Sequence, residues 1–238
     1  MSKRLIDIAF SAVAMIAASP LVLAGMLLIV IQDGGSPIYW APRVGRGGRD
    51  FRMAKLRTMT PGADRKGGSS TSRSDARITP VGRWLRRWKI DELPQLWNVL
   101  MGEMSLVGPR PNLRQGGVDL YTPEELGLLT GRPGITDLAS IVFADEADIL
   151  EGAADPDAAY DRLVRPWKSR LGLLYLDRRT LGIDLRILAL TILAVFARPA
   201  ALQGVDRILA AWGAGEELRR VCRRSGPLPL AAPPGALA

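Results

Sequence analysis

"IAFSAVAMIAASPLVLAGMLLIVI", residues 8–31, runs for twenty-four positions without a single charge. How that run meets a bilayer decides the fold. A helix needs roughly 20 apolar residues to span the hydrocarbon core, so the length suffices. The apolar core of a cleaved signal peptide is shorter, about 7–15 residues. "AASP" (17–20) imitates a cleavage site, yet the chain beyond it carries no mark of an exported, disulfide-stapled protein. Ser19-Pro20 stands at the centre and complicates a plain span. Proline removes a backbone donor and clashes with the preceding turn, while a serine hydroxyl can bond a freed carbonyl. Bilayers tolerate such a break when the freed groups are satisfied again. Two geometries stay open on physics alone: a spanning helix, and a helix-break-helix that returns to the face it entered. Lys3 and Arg4 favour a cytoplasmic amino terminus.

Charge leans toward the second geometry. The 238 residues carry a net charge of +8, and residues 32–115 alone hold sixteen Lys/Arg against seven Asp/Glu. A body this basic is a poor candidate for translocation, and its field attracts polyanions: nucleic acid, acidic headgroups or phosphorylated substrates. By contrast, "DEADILEGAADPDAAYD" (145–161) holds seven acids and no base, which reads as a solvated surface segment. Cys222 is the sole cysteine, so no intrachain disulfide forms, and there is no histidine. The commonest general base and imidazole-bound zinc are thereby excluded. Chemistry must come from carboxylates, Lys/Arg, hydroxyls or a hard, oxygen-liganded metal.

Past the apolar run, the pattern predicts a β-hairpin with strands near 38–41 and 51–56 around the Gly-rich turn 45–48. A polar Gly/Ser-rich loop follows over 61–75. Residues 83–100 read as one helix, with Leu93, Leu96, Trp97 and Leu100 on its apolar face. Pro109 and Pro111 stiffen the connector around Arg110. Thr122 and Glu125 form a capping box for a short helix closed near Gly131. Further stripes fall at Val164, Trp167, Leu171 and Leu174, and at Leu202, Val205, Leu209 and Trp212, while 185–196 is apolar on nearly all sides. Basic amphipathic helices with Trp suit a membrane surface. The Pro/Ala-rich end, 225–238, reads as disordered.

Asp91 and Glu92 sit side by side in this basic setting, directly before Leu93-Pro94. The bland reading makes Asp91 an N-cap and Glu92 a first-turn acid. The sharper one gives them different tasks, because successive helical residues lie roughly 100° apart. An aspartate with an ordinary pKa near 3.9 is ionised at pH 7 and needs no base to act as a nucleophile. Its attack on phosphorus requires the phosphate charge masked, by arginines and a divalent ion. Oxygen-only ligands select Mg²⁺ or Mn²⁺.

"KIDELPQLWNVLMGEMSLVGPRP" (89–111) resembles the signature of the bacterial sugar transferase family, the monotopic polyprenol-phosphate phosphoglycosyl transferases. The likeness covers about residues 1–196 and includes "KRLIDIAFSAVAMIAASPLVL" (3–23), "PRVGRGGRDFRMAKLRTM" (42–59), "RITPVGRWLRR" (77–87), "RPGIT" (132–136) and "LGIDLRILALTI" (181–192). It implies a re-entrant membrane helix broken at Ser19-Pro20, and catalysis by Asp91 and Glu92. In that chemistry Asp91 attacks the β-phosphate of a nucleoside diphosphate-sugar, UDP-linked as a rule, and UMP leaves. Undecaprenyl phosphate then takes the phosphosugar, the first membrane step of a surface glycan that downstream glycosyltransferases extend. The resemblance also implies Mg²⁺ at Asp91 and Glu92, and substrate phosphates at Lys55, Arg57, Arg86 and Arg110. Asp184 falls at a late acidic position for which a structural helix-end role competes. No bundle of transmembrane helices precedes Lys3, as in the compact form of the family. Where many members continue after "RPGIT" with Gly and an "AQV" element, this chain reads "DLASIVF" (137–143).

The expectation is an α+β, mostly helical, membrane-associated domain. Residues 1–200 form the transferase, with a re-entrant helix at 5–31, a small β-hairpin and interfacial amphipathic helices. Residues 201–224 add an amphipathic helical extension. It acts at the cytoplasmic face of the bacterial inner membrane, on membrane lipids and not on nucleic acid. The rival class is a non-enzymatic basic membrane or nucleic-acid binder, which leaves the Asp91-Glu92 pair unexplained. A second rival lets the lipid phosphate attack directly, with no covalent intermediate.

Overall fold

The computed structural model describes residues 2–63 and 74–236; most of the loop expected at 61–75 lies outside the described residues. Helix α1 (Ser2–Asp33) takes in the whole apolar run and stays helical through Pro20. The expected helix-break-helix is therefore not seen as two elements. Pro20 cannot donate to the carbonyl of Ile16, four residues back, and the Ser19 hydroxyl donates to that oxygen at 2.8 Å instead. The helix is long and apolar enough to cross a membrane, and Val13, Ile16, Leu23, Leu27 and Ile31 stand largely exposed.

Both ends of α1 are fastened to the folded body. Near the start, Lys3 pairs with Asp184 at 2.5 Å, Arg4 donates to the carbonyls of Val99 and Leu100, and the buried Asp7 accepts from Ser105 Oγ and Leu106 N. Near the finish, Ile29 is buried with Leu56, Leu85 and Ile90. Gln32 accepts from the Val81 amide, and Asp33 takes two bonds from Arg57.

Strands β1 (Ile38–Val44) and β2 (Asp50–Leu56) pair antiparallel from Ile38↔Leu56 to Val44↔Asp50. They turn through Gly47 and Gly48, both with positive φ, where a side chain would be strained. Helix α2 (Pro80–Arg87) follows, capped by Thr79, whose hydroxyl accepts from the Gly82 amide. Gly82 lies against the strand exit: a Cβ there would stand 2.0 Å from the Thr58 carbonyl oxygen. Gly82→Ala is expected to cost about 1–3 kcal/mol of stability, read from denaturant unfolding. It should also weaken function more than that loss alone, because the displaced helix carries Arg86.

Residues 83–100 are not one helix. Lys89 takes the left-handed conformation (φ 57°) and a 3₁₀ turn, Ile90–Glu92, intervenes before α3 (Gln95–Met101). Pro94, lacking an amide donor, marks the restart. The buried face of α3 is Gln95, Leu96, Asn98 and Val99, so Trp97, placed inside by the pattern, is half exposed. Asn98 ties α3 to β2, accepting from Ala54 N at 2.9 Å and donating to the Arg52 carbonyl.

Strand β3 (Ser105–Val107) pairs in parallel with β4 (Gly134–Thr136). The capping box forms as expected, with Glu125 N to Thr122 Oγ1 and Thr122 N to Glu125, but it opens a 3₁₀ helix, Glu125–Thr130. Glu125 is fully buried and also accepts from Arg165 and Ser169.

The main core joins α4 (Leu138–Val142), α7 (Arg165–Arg178), α8 (Leu181–Phe196), α9 (Arg198–Ala211) and α10 (Glu216–Arg223) to Ala41 and Met53 of the hairpin, Leu96 and Val99 of α3 and Leu106 and Val107 of β3. Val164, Trp167 and Leu171, and Leu202, Val205 and Leu209, are buried in it as their stripes require. On α8 only Asp184 and Ile187 are buried, leaving Ile192, Val195 and Phe196 exposed. The acidic segment is more than solvated surface. It forms α5 (Glu146–Ile149) and α6 (Pro156–Leu163), buries Leu150, and directs Asp145 onto Arg198 and Arg224. Nor is the end of the chain disordered over 225–236. Its carbonyls accept from Trp167 Nε1, Arg170 and the Thr122 hydroxyl, because prolines leave carbonyls without a local partner and the body supplies donors.

Candidate active site

The 3₁₀ turn Ile90–Glu92 brings the acids together with cations from three other elements. Ile90 is the pin: buried with Ile29, Leu56 and Leu85, it fixes the turn against α1, β2 and α2. Asp91 is 6% exposed, and its Oδ1 is buried with no hydrogen-bond partner among the described residues. It caps no helix, since neither the 3₁₀ turn nor α3 has a side-chain cap bond. Buried polar atoms are almost always bonded, so this oxygen marks a place where a partner belongs.

Glu92 is differently placed. Arg110 holds it in a fork, Nη1 at 3.1 Å and Nη2 at 2.5 Å, and Lys55 Nζ lies 3.3 Å away. Burial separates the two acids electrostatically. It pushes the Asp91 carboxyl up, against the pull of Lys55. It opposes the Glu92 charge too, but there Arg110 and Lys55 outweigh it and hold Glu92 well below the usual carboxylate range. Burial likewise pulls Lys55 down, with Glu92 opposing. Two adjacent carboxylates thus have distinct roles: one saturated with cations, one open.

Arg86 joins them from α2, its Nε donating to Thr58 Oγ1 at 2.8 Å. Burial lowers its pKa and nearby Asp91 opposes that. Arg57 does not join. It is committed to Asp33 and to the Ser36 carbonyl, anchoring the end of α1. Asp184 is likewise remote from the pair. It accepts from Tyr175 OH at 2.6 Å and from Lys3, tying the start of α8 to α1. Ser19 and Pro20 lie mid-way along α1, exposed.

Sequence reasoning passed over Arg43. Burial and then nearby Arg110 push its pKa down to about 10. Strand alternation carried the signal: Tyr39, Ala41 and Arg43 share one face of β1, and Tyr39 pairs with Lys55 in the register. Asp137 was passed over too. It caps α4 through Ser140 N at 2.6 Å and accepts from the Arg110 amide at 3.3 Å.

Among the described residues no three His, Cys, Asp or Glu side chains converge on a metal position. A divalent ion would find the open Asp91 oxygen, whereas both Glu92 oxygens are already engaged. That suits Mg²⁺, which commonly takes one or two carboxylates and draws its other ligands from substrate phosphates and water. A buried carboxylate oxygen in the field of Lys55, Arg86 and Lys89, with Arg110 held on the neighbouring Glu92, could receive a phosphate group and present a nucleophile to its phosphorus.

The family described as bacterial sugar transferase matches residues 1–198. A protein of Komagataeibacter xylinus named undecaprenyl-phosphate glucose phosphotransferase is 38% identical over 207 residues, 84% of this chain and 37% of that one. One from Aeromonas hydrophila, named UDP-N-acetylgalactosamine-undecaprenyl-phosphate N-acetylgalactosaminephosphotransferase, is 40% identical over 169 residues, 69% of this chain and 40% of that one. A putative undecaprenyl-phosphate N-acetylgalactosaminyl 1-phosphate transferase of Bacillus subtilis (strain 168) is 43% identical over 109 residues, 46% of this chain and 61% of that one. The chain thus spans between 37% and 61% of the length of these three relatives.

Proposed function

Because the chain belongs to the bacterial sugar transferase family, we propose that it moves a sugar 1-phosphate from a UDP-sugar to undecaprenyl phosphate through a phosphosugar bound to Asp91. The observation that carries this reading is the unpaired, buried Asp91 oxygen in the field of Lys55, Arg86 and Lys89. In the first step that oxygen attacks the donor's β-phosphorus. The bond from this phosphorus to the bridging oxygen breaks, and UMP leaves with the bonding pair. In the second, a phosphate oxygen of the lipid attacks the same phosphorus and Asp91 departs as carboxylate. No proton is consumed in either step, which suits a chain without histidine.

Arg110 and Lys55, held by Glu92, and Arg86, held by Thr58, neutralise the phosphates without having to reorganise. Mg²⁺, held by Asp91 and the donor phosphates, would supply Lewis-acid charge to the departing UMP phosphate.

The membrane arrangement in this reading is a re-entrant α1, entering and leaving at the cytoplasmic face of the inner membrane. Its support lies in how the helix is held. Asp7 and Asp33 are both bonded to the same folded body, while the stretch between is largely exposed and apolar. A rod crossing to the far side would leave one end without that body. Trp40, Trp84, Trp88 and Trp97 are each about half exposed, as interfacial tryptophans are.

The test is UMP release and lipid-product formation by the full chain in detergent or vesicles, with undecaprenyl phosphate and a set of UDP-sugars. UMP release should require Mg²⁺ and cease with a chelator. Vesicle or nucleic-acid binding without turnover on any donor would overturn the reading.

A further inference from the structure

A second polar group is orphaned in the interior, and it stands next to Asp91. Gln95, the first residue of α3, is fully buried, and neither its Oε1 nor its Nε2 has a hydrogen-bond partner among the described residues. The backbone places it. Leu93 (φ −58°, ψ −35°) and Pro94 (φ −59°, ψ −17°) keep right-handed helical dihedrals, so the chain winds one way from Ile90 to Met101. Residues three and four apart on such a coil have Cβ atoms about 5–6 Å from one another, which sets Gln95 beside both Glu92 and Asp91. Contacts on either side fix its direction. Glu92, three residues before, meets Lys55 of β2 at 3.3 Å, and Asn98, three residues after, accepts from the Ala54 amide of β2 at 2.9 Å. Gln95 lies between them on the row that faces β2.

The other side chains of this row are taken. Asn98 also donates to the Arg52 carbonyl and to Glu103, and Glu92 is held by Arg110 and Lys55. The two groups that remain open, the Gln95 carboxamide and Asp91 Oδ1, are four residues apart, the spacing at which Gln and Asp side chains bond on a helix. Their chemistry is complementary: an amide nitrogen has hydrogens to give, and a carboxylate only accepts. Burying an amide unpaired costs stability, and Gln95 does nothing for the fold that an apolar side chain of its length would not do better.

We propose that Gln95 is a positioning residue for the nucleophile: when a phosphate group enters the site, Nε2 turns to donate to the Asp91 oxygen that stays off phosphorus. Only one carboxylate oxygen bonds phosphorus, and an unheld carboxylate swings about its χ2. A fixed plane keeps the attacking lone pair aimed in the first step. In the second, the same N–H stabilises the charge that returns to Asp91 as it departs. Gln95 does not touch the donor's phosphates, which are left to Lys55, Arg86 and Arg110. The inference rests on the proposed reaction and assigns the group that orients its nucleophile.

The test is UMP release by the 238-residue chain as wild type, Gln95→Met and Gln95→Leu, with Mg²⁺, undecaprenyl phosphate and the UDP-sugar that wild type uses best. Expected is a fall in kcat of about tenfold to a hundredfold, with KM for the donor within about threefold of wild type. Without lipid, the phosphosugar adduct should build up more slowly in both variants. Their melting temperatures should be at or above wild type, because two unpaired polar atoms have left the interior. A folded variant with kcat within about twofold of wild type overturns the proposal. So does an unchanged kcat with a raised KM, since Gln95 would then bind substrate rather than orient Asp91. An amide that serves the fold through an internal water would instead make both variants melt below wild type or fail to fold, and either result overturns it too. If wild type releases no UMP from any donor, the proposed reaction falls first and this role falls with it.

Discussion

Asp91→Asn is expected to lower UMP release and lipid-product formation by on the order of 10⁴-fold or more, the scale on which nucleophile removal acts. An amide keeps the size and place of the carboxyl but cannot donate an electron pair to phosphorus in the same way. The fold should not suffer. Asp91 makes no hydrogen bond through its buried Oδ1, and burial already works against its charge. Stability should therefore stay within about 1 kcal/mol of wild type. Lost activity with intact melting is the combined signature, and steady-state rates beside thermal unfolding check it. A rival in which the protein merely binds anions predicts almost no effect from changing one charge among so many.

The largest expected effect on stability lies elsewhere. Glu125 is fully buried and accepts from Arg165 Nε at 3.1 Å and Nη2 at 2.7 Å, from Ser169 Oγ at 2.6 Å and from Thr122 N at 3.0 Å. Glu125→Ala leaves the Arg165 charge in the interior without its main partner, which typically costs about 3–5 kcal/mol. For a chain of this size that lowers the melting temperature by roughly 6–20 °C. Replacing both, Glu125→Leu with Arg165→Met, should recover much of the loss. The network also sets a pH dependence. Burial pushes the Glu125 carboxyl up, but Arg165, Ser169 and the Thr122 amide outweigh it and hold the pKa below its ordinary value. Its stabilising contribution is therefore complete above the unfolded value, about 4.3, and is lost as pH falls through the folded one. Unfolding midpoints measured from pH 7 down should fall below about pH 4.3 in wild type and fall less in Glu125→Ala.

Local signals in the sequence carried far. The Thr122–Glu125 box appeared with both reciprocal bonds, and the hairpin turned at Gly47 and Gly48. The hydroxyl of Ser19 took up the carbonyl that Pro20 leaves unpaired. What stayed hidden was long-range. Arg57 looked like a phosphate ligand because its partner, Asp33, is twenty-four residues away at the end of the long apolar helix α1. The 83–100 stretch read as one helix because nothing in its apolar spacing announces a left-handed Lys89. Periodicity finds faces, not the backbone reversals that place Asp91 between them. The dyad stood out by its chemistry, whereas Arg43 and Asp137 are assembled only when separate elements meet.

One measurement reaches the central claim most directly: the intact mass and peptide map of the 238-residue protein incubated with Mg²⁺ and a UDP-sugar in the absence of any lipid acceptor. The account predicts a protein heavier by one sugar phosphate, with the added mass on the peptide containing Asp91, and discharged when undecaprenyl phosphate is supplied. A wild-type protein that transfers sugar phosphate to the lipid at full rate yet never carries that mass would contradict it.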